Sequence, residues 1–351
     1  MPKTGRIDCL FPDAPVRLTF FEYMQRVLYH PEAGYYTTRE SIFGAAGDYY
    51  TSFYVHPIAA ELLAEQFAQL WTACGRPASF ALIEYGPGEG LFARQALDYA
   101  RRLQPDFWKA IRYHGIDVHS KYSSAAASEE PAAAVAGVVF SNEFFDAWPV
   151  HRLVARDGDW LEIFVEVSPL NVREVEDSVS DASLLEYVRH YGIRARQGQQ
   201  VEIRRGVEDW YRRVFSYLQA GAIFTVDYGD RAPELYSRSR RDGTLMCYDR
   251  HRAHSDPYAR PGEQDITAHV NFSELEEAGE QQGFSSAGLS SQRRFLLDRG
   301  LLQRLEDDPA FQGDNVEGLQ QRLRVKSLLV PGGISDTFKV LVQERRPGMV
   351  V

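Results

Sequence analysis

Apolar positions along this chain fall into two rhythms. From residue 80 onward, short unbroken apolar runs alternate with stretches of helical period, the pattern of parallel strands joined by helices. Phe80 to Tyr85 reads as a buried strand, 91–103 as the helix after it, and Ile111 to Asp117 and Val138 to Asn142 as further strands. Before them, Leu18 to Leu28 has helical period, with Thr19 and Glu22 at capping-box spacing, and Pro31 stops the helix. Ile58, Leu62, Leu63, Phe67 and Leu70 form a helical stripe over 57–71.

Residues 151–205 break the alternation. Leu153 to Val165 predicts a hairpin turning at Asp157-Gly158, and the whole segment reads as an inserted cap. Ser178 to Ser183 is the most linker-like stretch. Further on, the pattern predicts a helix over 207–219, strands over 222–226 and 244–248, a helix capped by Ser273 with Glu276 in a capping box, and a closing strand over 337–342. The expected organisation is an N-terminal extension (1–75) packed on a core (76–150 and 206–351), with 151–205 inserted.

Composition changes this picture in three ways. The chain has 351 residues, 44% of them hydrophobic, enough for one large domain with an insertion or for two domains. Its formal net charge of −10 argues against a nucleic-acid partner, since phosphate contacts are built on clustered Lys and Arg. Cys9, Cys74 and Cys247 are scattered, without a C-x-x-C pair, which fits a reducing compartment and neither a disulfide framework nor a zinc site. With no apolar run of membrane-spanning length and no signal-peptide core, the expectation is a cytoplasmic protein with no membrane partner. A homodimer stays open.

The candidate chemistry gathers where strands end. After Phe80 to Ile83 come Glu84 and then Gly86, Gly88 and Gly90, directly before a helix. Glycine accepts positive φ and lets a ligand approach the backbone, so this turn should seat a nucleotide-like cofactor at a helix N-terminus. A dinucleotide fingerprint would need its third glycine where Leu91 stands. Asp117, at the next strand end, is placed to hold ribose hydroxyls. Asn142, Glu143 and Asp146 follow a third strand, where carboxylates could orient an amine or guanidinium; the plainer reading is that they cap the next turn. Asp227 and Asp230 follow a fourth. Asp265, Thr267, His269 and Asn271 alternate along an extended segment, so His269 is a candidate base, although a structural His is the commoner case. His251, His254 and His269 lack a ligand spacing, and no metal site is expected. No G-x-S-x-G elbow or Walker A is present.

In order, the chain carries Gly34-Tyr-Tyr, Gly47-Asp-Tyr-Tyr-Thr-Ser52, Glu84 to Gly90, Ser141-Asn-Glu-Phe-Phe-Asp-Ala-Trp-Pro-Val-His151, Asp227-Tyr-Gly-Asp230, Gly243-Thr-Leu and Asp265-Ile-Thr-Ala-His-Val-Asn-Phe272. This set resembles the MidA-type S-adenosylmethionine-dependent methyltransferases, the family of a mitochondrial complex I assembly factor, from about residue 20 to 344. The resemblance implies an α/β fold: a class I (Rossmann-like) methyltransferase sheet with helices on both faces, an N-terminal helical extension and an inserted α+β lid. It implies S-adenosylmethionine as cofactor, held by Thr51, Ser52, Glu84, Gly86, Gly88, Gly90, Asp117 and Asn142, and a substrate pocket with Glu143, Asp146 and His269 as catalytic residues. In the mitochondrial member the implied reaction is arginine methylation of a complex I subunit. Two departures, Phe53-Tyr54 where Pro-Glu usually follows Thr-Ser and Asp117-Val-His-Ser120 where Glu-x-Ser-Pro is usual, bear on the substrate. The expectation is therefore methylation of an arginine-bearing protein, with a small-molecule acceptor or a non-catalytic assembly chaperone as alternatives.

Overall fold

The computed structural model describes residues 4–38, 52–118, 129–169, 171–250, 252–307, 311, 316–330 and 333–346. By contacts the chain divides into two units, one from the described residues of 1–49, 145–207 and 230–273, the other from those of 50–144, 208–229 and 274–351.

The second unit is built on a sheet with the strand order Ser285–Ser291, Phe338–Arg345, Leu218–Asp230, Val135–Asn142, Phe80–Tyr85, Ile111–Ile116. The last four are parallel to one another, whereas Phe338–Arg345 is antiparallel to both Leu218–Asp230 and Ser285–Ser291. Every residue of Phe80–Tyr85 is buried, as a strand covered on both faces requires. On one face Leu82, Phe140 and Phe224 pack with Phe67 of helix Ile58–Ala73 and Phe92 of helix Leu91–Leu103. Phe92 stacks on Phe140 with ring centroids 4.0 Å apart. On the other face Tyr85 meets Trp210 of helix Val207–Tyr217. The α/β sheet with helices on both faces is thus present.

Three strands are pressed together at their starts. Ala81, Gly137 and Gly221 are register partners across the sheet. A Cβ on Gly137 would lie 2.4 Å from the Ala81 carbonyl oxygen, and one on Gly221 only 1.7 Å from that of Gly137. Backbone cannot yield there without splaying the strands.

The first unit has its own antiparallel sheet. The hairpin Val150–Arg156/Asp159–Ser168 turns at Asp157 (φ 53°) and Gly158 (φ 93°), as its sequence predicts. Gln200–Arg204 pairs with Val150–Arg156, and Asn171–Asp177 with Asp159–Ser168. Val16–Thr19 adds to the far half of Asp159–Ser168. Thr19 and Glu22 form the expected capping box on helix Phe20–Tyr29. Residues 151–205 are therefore not a self-contained insertion. They share a sheet with the N-terminal segment, while Ile58–Ala73, expected in an N-terminal extension, belongs to the second unit. The pairing spans about 150 residues of chain, which local periodicity cannot report.

Two local readings also change. The linker-like 178–183 leads into a helix, Ala182–His190, whose N-cap Asp181 accepts from Ser183 N–H. Helix Phe272–Gln281 is capped not by Ser273 but by Asn271, whose Oδ1 accepts from Ser273 N–H at 3.1 Å; the Ser273 hydroxyl instead accepts from Ala232 N–H. No helix among the described residues is long and apolar enough to cross a membrane.

Gly137→Val forces the first clash without touching the carboxyl ends of the strands. It is expected to cost about 3 kcal/mol, read as a lower urea midpoint at unchanged slope. A midpoint equal to that of the parent would show that the strands can separate there.

Candidate cofactor and catalytic site

The carboxyl ends of four parallel strands carry the site, as open α/β sheets dictate. At the first, Glu84 is 3% exposed and its Oε2 accepts from the Tyr113 hydroxyl at 2.7 Å. Tyr113 can reach it because the next residue on that face is Gly115, the register partner of Glu84; a Cβ there would sit 3.0 Å from the phenol oxygen. Burial raises the Glu84 pKa to about 7, with the Tyr113 hydrogen bond pulling it down and the nearby Asp117 pushing it up. Burial and the Glu84 carboxylate also push the Tyr113 phenol upward.

The glycine turn follows. Gly86, Gly88 and Gly90 have φ of 67°, 50° and 68°, a left-handed run that side chains resist. A Cβ on Gly86 would come 3.1 Å from the Phe144 ring. Gly90 is the N-cap of helix Leu91–Leu103. The second strand closes on this turn: Gly86 N–H donates to the Ile116 carbonyl at 2.9 Å and Gly88 N–H to Asp117 Oδ2 at 3.2 Å. Asp117 is thereby oriented by the turn that precedes it by a full βα unit.

At the third strand end, Asn142 Nδ2 donates to Glu143 Oε1 at 3.2 Å, and Asn142 Oδ1 is buried without a hydrogen-bond partner. Glu143 adopts φ 49°, a conformation that costs a non-glycine residue on the order of 1 kcal/mol or more. Two bonds from the fourth strand hold it. Glu143 N–H donates to the Val226 carbonyl at 3.0 Å, and Phe144 N–H to Asp227 Oδ2 at 3.2 Å. Asp227 is fully buried, and its other oxygen accepts from Tyr228 N–H at 2.8 Å. The sequence reading noted Asp227 at a strand end without giving it a role; here it braces the backbone around Glu143.

Of the expected residues, Glu84, Gly86, Gly88, Gly90, Asp117, Asn142 and Glu143 come together in one unit. Thr51 lies outside the described residues, and of Ser52 only the backbone is described, at the start of the short helix Ser52–Val55. Asp146 and His269 belong to the first unit. There Asp146 is buried and its carbonyl accepts from Ala268 N–H at 3.0 Å. His269 Nδ1 lies 2.8 Å from Arg240 Nη1, and Arg240 also bonds Asp230 Oδ2 at 2.7 Å. A guanidinium can only donate, so Nδ1 accepts and the ring proton sits on Nε2. In that tautomer neither nitrogen of His269 offers a free lone pair for a proton, which is at odds with the expected base role.

These residues fit a nucleoside cofactor of the expected kind. The left-handed glycines leave backbone open at a helix N-terminus, Asp117 presents an oriented carboxylate, and the buried Asn142 Oδ1 lacks a donor.

Comparison with known proteins agrees with this geometry. Residues 62–290 match the family described as "Putative S-adenosyl-L-methionine-dependent methyltransferase", and the chain belongs to that family of S-adenosylmethionine-dependent methyltransferases. Among solved structures, it is similar to a COG1565 superfamily member from Burkholderia thailandensis bound to S-adenosyl-homocysteine, with 30% identity, 98% of this chain and 95% of that chain covered, and a TM-score of 0.85. Among curated relatives, it is 26% identical to the human protein arginine methyltransferase NDUFAF7, mitochondrial, over 94% of this chain and 81% of the relative. It is 27% identical to the Drosophila melanogaster NDUFAF7 homolog over 75% of this chain and 66% of the relative. The protein is an enzyme of the methyltransferase class, and its cofactor is S-adenosylmethionine.

The raised Glu84 pKa sets a pH dependence with a definite sign. The folded state binds this proton more tightly than the unfolded chain, whose value is near 4.5. The stability it contributes is complete below that value and is lost as pH rises through about 7, to a total of roughly 3 kcal/mol. Glu84→Gln keeps the acceptor for Tyr113 and cannot ionise. Relative to this variant, the parent should lose stability in urea titrations between pH 5 and 8; a constant difference would mean that Glu84 stays ionised throughout.

Proposed function

We propose that this methyltransferase transfers a methyl group to a guanidinium nitrogen of a protein arginine. The observation that carries the reading is Glu143: a carboxylate held in a left-handed backbone position at a strand end, beside the glycine turn and bonded to the Asn142 amide. Strain of this kind persists where the surroundings over-determine it, and it marks functional positions. The names of the curated relatives, protein arginine methyltransferases, support the same acceptor.

When bound, S-adenosylmethionine supplies an electrophilic methyl group on a sulfonium. The chain's own residues do the rest. Glu84, the three glycines and Asp117 would hold the cofactor, with Asn142 donating to Glu143 and offering its buried oxygen. Glu143 pairs with the acceptor guanidinium and aligns one nitrogen, because a carboxylate fixes the geometry of that planar group. A guanidinium is a poor nucleophile while fully protonated, so Glu143 also takes the proton as the new bond forms. Asp227 keeps Glu143 in place by bonding the backbone on its far side. Asp146 stays a candidate for the substrate side, whereas the Arg240–His269 bond leaves His269 a positioning role. With three free cysteines, the cytoplasm is kept as the proposed compartment; the animal relatives are named mitochondrial.

Incubation with labelled S-adenosylmethionine and a panel of arginine-containing proteins and peptides, with small amines alongside, tests the acceptor. Label is expected on arginine, and Glu143→Gln is expected to lower turnover by about 100-fold or more while S-adenosylhomocysteine binding, read by calorimetry, stays within a few fold. Label only on small amines would replace the protein acceptor by a small molecule. Parental turnover in the Glu143 variant would remove Glu143 from the chemistry.

A further inference from the structure

The glycine turn is tied to Tyr54, a residue the cofactor reading does not use. Glu89 lies inside the turn, between Gly88 and Gly90, and its Oε2 accepts from the Tyr54 hydroxyl at 3.0 Å. The Glu89 carbonyl accepts from the Arg94 guanidinium, one turn into the helix that the glycines open. Tyr54 itself is anchored by its neighbour. Phe53 is 3% exposed, packs against Phe92 and Phe140 at centroid distances of 5.1 and 6.1 Å, and its carbonyl accepts from Gln95 Nε2 at 3.0 Å. Helix Ser52–Val55 is therefore fixed to helix Leu91–Leu103 through Phe53, and it reaches across to Glu89 through Tyr54. All of these residues belong to one unit.

We propose that Tyr54 is a positioning residue for the cofactor: by holding the Glu89 carboxylate it fixes the conformation of the Gly86–Gly90 turn on which S-adenosylmethionine binds. The argument is one of conformational freedom. Three glycines in five residues make a turn that visits many backbone states, and a ligand that needs one of them loses affinity in proportion to the fraction of time that state is empty. Glu89 is the one residue of the turn besides Pro87 with a side chain to hold. Its carbonyl is bonded from the helix side and its carboxylate from the Ser52–Val55 side, so the Glu89–Gly90 peptide group and the Glu89 side chain are held together. Tyrosine suits the task, since its rigid ring spans the distance with little entropy to lose and its hydroxyl bonds a charged acceptor. The inference rests on the cofactor alone and not on the identity of the methyl acceptor.

Tyr54→Phe removes the hydroxyl and keeps the ring. Its affinity for S-adenosylhomocysteine, measured calorimetrically, is expected to fall about five- to tenfold, the scale of one net intramolecular hydrogen bond, in a protein that still unfolds cooperatively in urea. The accompanying loss of turnover should be recovered at saturating S-adenosylmethionine. Glu89→Ala should weaken binding similarly, and Tyr54→Phe/Glu89→Ala should be no weaker than Glu89→Ala alone, since both changes break one contact. Parental affinity in a folded Tyr54→Phe protein, or losses that multiply in the double variant, would overturn the proposal. Failure of arginine methylation with these affinities as expected would count against the acceptor and leave this inference standing.

Discussion

A parallel strand covered on both faces has one place to present chemistry, the end where its carbonyls point and its chain must turn. In this protein that constraint organises the whole candidate site. Phe80–Tyr85 is buried from end to end, so its one acid, Glu84, has to be accommodated rather than solvated. Tyr113 supplies a hydroxyl, Gly115 makes room for it, and the residual cost appears as a pKa raised to about 7. The glycines come immediately after, because a chain leaving such a strand for a helix packed back on the sheet must reverse within a few residues. Left-handed backbone achieves this reversal and at the same time bares the peptide groups a nucleoside can approach.

The other strand ends serve the first. Asp117 braces the glycine turn by accepting from Gly88 N–H, so the second strand contributes a carboxylate whose direction is set before any ligand arrives. Asp227, at the fourth strand, spends both oxygens on backbone N–H groups. Removing such an acceptor from a buried position would leave its donors unsatisfied, which gives a charged residue a reason to be buried there. What it stabilises is the left-handed Glu143, a conformation with no local reason to persist.

How much of this was legible in the sequence follows from how far each feature reaches along the chain. The glycine turn, the strands on either side and the Thr19–Glu22 capping box are set by neighbours within a few residues, and pattern alone placed them. The cap of helix Phe272–Gln281 was missed by two residues, since Asn271 and Ser273 are both good caps and only tertiary contact assigns Ser273 to Ala232. Ser178 to Ser183 looked like a linker because N-cap residues and linker residues are the same polar types. The division into units was illegible, because it turns on Val16–Thr19 joining the edge of Asp159–Ser168. In the site, Glu84–Tyr113 and Phe144–Asp227 join residues 29 and 83 positions apart, and no local pattern announces either.

The segment Asn142-Glu-Phe-Phe-Asp146 shows why one short motif can be so distinctive. Its first half ends a parallel strand and carries the strained carboxylate. Its second half begins the other unit, where Phe145 and Asp146 are buried. Each residue thus answers to a different demand: Asn142 to the neighbouring carboxylate, Glu143 to a left-handed backbone, Phe144 to Asp227 and the glycine turn, Phe145 and Asp146 to a separate core. Two carboxylates only three residues apart, read together in the sequence as a pair, therefore have separate environments. Glu143 is held in its left-handed position by bonds from the fourth strand to the backbone, and Asp146 is built into a fold that must form around it. A motif that has to satisfy two folding units at once leaves little freedom at any of its positions, and this makes its sequence recognisable.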